Sequence, residues 1–168
     1  FKVCSMRGIP IFTFINKMDL ESRDPYDLLD ELEKELGIDT YAVNWPIGCG
    51  KEFKGVYDRH KNHIMAFEAA SVSGTKEAKS TIYPIDDPAL EPLIGERLWV
   101  TLQDDIELLS GAGEDFDLNR VREGTLSPVF FGSALTNFGV EPFLQYFLEM
   151  TPPPTARTSR GEIIDPFD

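Results

Sequence analysis

Positive charge is scarce in this chain. Its 168 residues hold 16 lysines and arginines against 29 aspartates and glutamates, a formal net charge of −13 at pH 7. Such a surface repels phosphate, so no direct nucleic-acid footprint is expected of it. Cysteine is scarcer still. Cys4 and Cys49 are the only two, and neither stands in a Cys-x-x-Cys or Cys/His cluster, which excludes a disulfide framework and predicts free thiols in a reducing compartment. The two histidines, His60 and His63, fall in a polar stretch and read as part of a turn; a metal site needs more ligands. No apolar run reaches transmembrane length and no signal sequence is recognisable, so no membrane contact and a cytoplasmic location are expected. A hydrophobic content of 42% suits one modest core plus an insertion.

Against these absences, the segment Ile9-Pro10-Ile11-Phe12-Thr13-Phe14-Ile15 is nearly all apolar without alternation. That pattern fits a strand covered on both faces of a parallel sheet. Such sheets bind ligands beyond the carboxyl ends of their strands, which is where Asn16-Lys17-Met18-Asp19 stands. A carboxylate there can accept two parallel hydrogen bonds, from the ring N1–H and exocyclic amine of guanine, an arrangement adenine cannot supply. Asp19 would discriminate the base. Asn16 would meet the purine edge or tie neighbouring loops, and the Lys17 stem would lie along the base face with its ammonium near the ribose. The plainer alternative is a polar turn that caps the following helix.

Pro128-Val129-Phe130-Phe131 reads as a second buried strand, followed by the small-residue loop Gly132-Ser133-Ala134-Leu135 and a helical pattern through Val140, Phe143, Leu144, Phe147 and Leu148. In a guanine site the Ala134 N–H would approach the base O6, and Ser133 would brace Asp19.

Together, Asn16-Lys17-Met18-Asp19 and Gly132-Ser133-Ala134-Leu135 resemble the fourth and fifth motifs of the translational GTPases. The block Trp45-Pro46-Ile47-Gly48-Cys49-Gly50-Lys51-Glu52-Phe53, with Phe130 to Val140, is similar in wording to the bacterial class II release factors, the peptide chain release factor 3 family. Elongation factor G, the translocase, is the neighbouring alternative. The resemblance spans essentially the whole chain. It implies an α/β fold: the C-terminal half of a P-loop-type GTPase G domain, a parallel sheet with helices, carrying an inserted small α+β subdomain with an antiparallel sheet. Residues 1–40 and 126–150 would form the partial core, 41–125 the insertion, and 151–168 a linker towards a next domain.

The phosphate loop Gly-x-x-x-x-Gly-Lys-Ser/Thr does not occur in the chain. The nearest imitation, Gly48-Cys49-Gly50-Lys51, is followed by Glu52 and has Trp45 where the first glycine belongs, so it reads as a turn between insertion strands. No Asp-x-x-Gly motif precedes residue 16 either. The chain therefore reads as a piece of a larger protein, inactive as a GTPase alone, with no catalytic or metal-binding residue. Asn16, Lys17, Asp19, Ser133, Ala134 and Leu135 would contact GTP or GDP, and the magnesium would be held elsewhere in the intact protein. The resemblance implies the ribosome and the codon-reading release factors as partners. Ten carboxylates lie between Asp86 and Asp117 against one basic residue, Arg97; they read as a solvated helix face or as a docking surface for the ribosomal stalk protein. On the latter reading the piece is an acidic protein-interaction module.

Locally, Asp24-Pro25 opens a helix with the stripe Leu28, Leu29, Leu32 and Leu36, closed by Gly37. Ala42–Ile47, Phe53–Asp58 and His63–Ala69 read as strands, 71–84 as loop, Glu96–Leu109 and Leu118–Glu123 as helices, and Gly111-Ala112-Gly113 as a turn.

Overall fold

The computed structural model describes residues 1–68, 79–111, 115–153, 157–159 and 162–164. A short helix α1 (Lys2–Met6) leads to strand β1 (Thr13–Ile15), helix α2 (Pro25–Leu36) and strand β2 (Asp39–Ala42). Strands β3 (Asn44–Ile47), β4 (Gly55–Asp58), β5 (His63–Glu68) and β6 (Lys79–Pro84) follow, then helices α3 (Leu90–Ile94), α4 (Glu96–Gly111) and α5 (Leu118–Arg122). Strand β7 (Leu126–Phe131), helix α6 (Val140–Met150) and the short strands β8 (Arg157–Ser159) and β9 (Glu162–Ile164) complete the elements of the described residues.

Two sheets carry the fold. The first is parallel, in the order β1-β7-β2. All six residues of β7 are buried, and the alternation of its side chains feeds two apolar clusters. Val129 and Phe131 join Trp45, Ile47 and Leu102 on one face, while Leu126 and Phe130 join Tyr41, Tyr146 and Met150 on the other. The strand is covered on both sides, as its unbroken apolar run requires.

Only the last three residues of the expected Ile9–Ile15 strand pair with β7, beginning at Thr13↔Val129. Backbone groups alternate sides along β7: the Val129 carbonyl accepts from Val43 N–H on the β2 side. Pro128 therefore faces β1, and lacking an N–H it cannot extend that ladder.

Helix α2 has the ends its sequence specifies. The Asp24 carboxylate accepts from the Tyr26 N–H at 2.8 Å, Pro25 occupies the first turn, and Gly37 closes the helix in the left-handed region at φ 66°.

The second sheet is antiparallel, in the order β3-β4-β5-β6, and the chain enters it straight from the first. Tyr41 and Ala42, expected in the insertion, pair in parallel with Pro128 and Val129. Asn44 then pairs antiparallel with Asp58. At this crossing the Asn44 side chain stands in for a strand: its amide donates to the Phe131 carbonyl at 3.1 Å and accepts from the Phe131 N–H at 2.7 Å, both within the interior.

Two expectations are corrected, and one segment carries more structure than its reading specified. Residues 79–84, read as loop, form β6, paired along its whole length with β5; its polar Lys79-Ser80-Thr81 start carries no apolar alternation, and Ser80 and Thr81 are exposed. The remainder of that loop, from 71 to 78, lies outside the described residues, as do Ala69 and residues 112–114. The segment read as plain linker contains the pair β8–β9, where Thr158, Ile163 and Ile164 supply β-branched residues. Asp105, read as one of a solvated acidic row, accepts from Tyr26 Oη at 2.9 Å and Trp45 Nε1 at 3.0 Å. That contact pins α4 to α2 and β3. Burial first, and then this hydrogen bond, raise the Tyr26 phenol well above its ordinary pKa.

Candidate functional site

β1 and β7 are neighbours in one parallel sheet, so the segments leaving their carboxyl ends lie side by side. Asn16–Asp19 follows β1, and Gly132–Leu135 follows β7. The two loops are stitched together. Gly132 N–H donates to the Ile15 carbonyl at 3.0 Å, Met18 N–H donates to the Gly132 carbonyl at 3.1 Å, and Asn16 Oδ1 accepts from Ala134 N–H at 2.8 Å. The same Asn16 oxygen accepts from Lys17 N–H at 2.8 Å. Lys17 sits at φ 71°, a left-handed conformation rare for a residue with a side chain. This sharp turn sends Met18 fully into the core while Asn16 and Lys17 remain exposed.

The second loop closes on itself through Ser133 N–H to the Phe138 carbonyl at 3.0 Å and Phe138 N–H to the Ser133 carbonyl at 2.9 Å. Gly132 is needed at its root. A Cβ there would lie 2.6 Å from the Phe138 carbonyl oxygen and 2.8 Å from Phe14 Cζ. Ala134 and Leu135 project outward, Leu135 with 65% exposure, offering an apolar edge beside the loop.

All six residues singled out from the sequence thus belong to one adjoining pair of loops, with two departures from the expected roles. The Ala134 N–H, expected to face a base, is engaged by Asn16. Ser133, expected to brace Asp19, forms no hydrogen bond with it. Instead Asp19 Oδ1 and Ser133 Oγ are both buried and, among the described residues, lack a hydrogen-bond partner. A buried carboxylate oxygen without a donor is costly. It fits a ligand that brings N–H groups to the loop, as the edge of guanine does.

Sequence reasoning missed one contributor. The Gly50 N–H, in the turn between β3 and β4, donates to the Met18 carbonyl at 3.0 Å and the Leu20 carbonyl at 3.1 Å. The paired glycines Gly48 and Gly50 were the available signal, read only as a turn. Beside this contact a cavity of about 360 Å³, lined by Met18, Tyr26, Trp45, Cys49, Leu102 and Asp105 among others, separates the loop from α4.

The chain is 56% identical to peptide chain release factor 3 of Nostoc punctiforme over 164 residues, covering 97% of this chain and 30% of that protein. It is 51% identical to peptide chain release factor 3 of Symbiobacterium thermophilum over 166 residues, covering 99% of this chain and 31% of that protein. The chain thus spans about a third or less of the length of these relatives. A protein of Thermus thermophilus of known crystal structure shares the fold, with a TM-score of 0.58 and 22% identity over 92% of this chain and 24% of its own. Among the described residues, no helix is long and apolar enough to cross a membrane. Residues 1–153 match the family described as Elongation factor Tu GTP binding domain, and the chain belongs to that family of GTP-binding domains.

Proposed function

We propose that this chain supplies guanine recognition to a GTP-binding translation termination factor of the release factor 3 type. The observation that carries the reading is the buried, unpartnered Asp19 Oδ1 between two loops at the carboxyl ends of adjacent parallel strands. Its carboxylate accepts the N1–H and 2-amine of guanine. Asn16 holds the two loops at a fixed separation, the Lys17 stem covers one base face, and Leu135 and Ala134 close the rim. Ser133 Oγ, buried beside them, is satisfied in the nucleotide-bound state.

Residues 1–40 and 126–150 form the partial G-domain core and 41–125 the insertion, with Tyr41 and Ala42 completing the core sheet. Residues 151–168 lead towards a following domain. Bound GTP supplies a hydrolysable phosphate anhydride; magnesium and the phosphates are held outside this chain, and no residue here is catalytic. In the intact cytoplasmic protein, GTP binding and hydrolysis on the ribosome drive removal of the codon-reading release factors. The relatives named peptide chain release factor 3 support this role. The exposed carboxylates of α4, among them Asp104 and Glu107, support contact with a basic partner, the ribosomal stalk protein being the candidate.

Calorimetry on the full-length protein tests the reading. The parent binds GDP and discriminates against ADP. Asp19→Asn loses a charge-assisted pair of hydrogen bonds, so GDP binding weakens by more than about tenfold and preference shifts towards xanthine, whose edge suits an amide. Unchanged GDP affinity in that variant sinks the assignment.

A further inference from the structure

The two carbonyls held by the Gly50 N–H belong to Met18 and Leu20, the residues on either side of Asp19. One donor from the insertion therefore fixes the peptide plane that enters Asp19 and the one that leaves Leu20, bracketing the residue that carries the base-reading carboxylate. The grip is tight. Gly50 lies at φ +58°, and a Cβ there would sit 3.2 Å from both the backbone nitrogen and Cγ of Glu21. The turn that carries Gly50 is itself anchored, with Phe53 N–H donating to the Gly50 carbonyl at 3.2 Å. The buried Phe53 ring meets Phe138 edge to face, with centroids 5.6 Å apart. Phe138 closes the Ser133 loop. The Gly50–Phe53 turn thus touches both halves of the nucleotide site, the Asp19 loop through a backbone hydrogen bond and the Ser133 loop through an aromatic contact.

We infer that Gly50 is a positioning residue for base discrimination, and that the insertion sets how strictly the site reads guanine. The inference rests on the assignment of Asp19 as the guanine reader. Two parallel hydrogen bonds from N1–H and the 2-amine require the carboxylate plane to lie in the plane of the base; a small rotation keeps one bond and loses the other. Freed from Gly50, the Met18–Leu20 segment keeps the Met18 N–H bond to Gly132 and the Leu20 N–H bond to Lys17 but loses the hold on the Met18 and Leu20 carbonyls.

The test is the ratio of GDP to IDP affinity in the full-length protein, because the inosine base keeps N1–H and lacks only the 2-amine. The parent should favour GDP by about tenfold or more, one charge-assisted hydrogen bond's worth. In Gly50→Ala the ratio should fall by at least about threefold while IDP affinity changes less. Gly55→Ala serves as the control. A Cβ there would lie 2.0 Å from the Met65 carbonyl oxygen, so it damages the β4–β5 pairing and lowers Tm without altering the ratio. If Gly50→Ala does not fold, an amide-to-ester replacement at position 50 adds no side chain and removes the donor, at the cost of a weaker Cys49 carbonyl acceptor for Glu52 N–H. A folded Gly50 variant with the parental ratio, or an equal loss in Gly55→Ala, overturns the inference while leaving Asp19 as the reader. A parent that does not distinguish GDP from ADP overturns both.

Discussion

Removing the Asn44 side chain should destabilise the protein out of proportion to its size. Asn44 is 7% exposed, and its amide is the partner of both backbone polar groups of Phe131 on the β2 side of the strand. Asn44→Ala leaves a buried N–H and a buried C=O unpaired. Each unsatisfied group costs about 1–3 kcal/mol, or about 2–6 kcal/mol for the two. Water entering the space of the lost amide recovers part of this, leaving about 3 kcal/mol. For a chain of this size that corresponds to a fall in Tm of about 6–12 °C. Urea denaturation measures the energy, and amide exchange at Phe131, protected in the parent, should accelerate in the variant. Asn44→Asp provides a signature that packing loss cannot imitate. Its carboxylate still accepts from the Phe131 N–H but opposes the Phe131 carbonyl, so it is destabilising at neutral pH. Protonation turns one oxygen into a donor, and the deficit relative to the parent should narrow as pH falls towards about 4. A loss below about 0.5 kcal/mol in Asn44→Ala, the level of ordinary surface substitutions, refutes the reasoning.

Two further outcomes follow from other contacts. Tyr146 Oη donates to the buried Asp58 carboxylate, 2.9 Å from each oxygen, and burial followed by the Asp58 charge raises its pKa above the usual 10.0. A raised folded-state pKa gives stability that is complete below the unfolded value and is lost as pH climbs above it. Tyr146→Phe should cost about 1–2 kcal/mol near neutrality and make the alkaline decline shallower; a decline as steep as the parent's counts against this. Gly132→Ala forces its new methyl against the Phe138 carbonyl and Phe14, so it should cost about 1–3 kcal/mol and weaken GDP binding, both read by thermal melts with and without nucleotide. A melt matching the parent under both conditions contradicts the packing described.

The parts of this fold that were legible are those written in neighbouring residues. The end of β1 with Asn16 to Asp19 behind it, and α2 between Asp24 and Gly37, are marked by signals within a few positions, whereas the start of β1 at Thr13 is set by Pro128 across the sheet. What escaped reading depends on distant chain. The polar start of β6 becomes a strand because β5 offers it an edge, not because its own side chains alternate. Asn44 looked like an ordinary strand residue, although its side chain completes the hydrogen bonding of Phe131 far along the sequence. The Ala134 N–H lies beside the Asn16 loop, but its engagement by Asn16 depends on the curl imposed by the left-handed Lys17. Gly50 has no side chain to pattern at all, so its hold on Met18 and Leu20 is visible only in space.

The passage from β2 to β3 gives the insertion a mechanical character. There is no slack tether where the chain leaves the parallel sheet: Val43 still bonds to Val129, and Asn44 is already both a rung of the second sheet and a clasp on Phe131. With Asp105 binding α4 to Tyr26 and Trp45 as a second fulcrum, the antiparallel sheet acts as a stiff lever on the core. A push at its far end is delivered as torque on the C-terminal end of β7, next to the Gly132–Leu135 loop.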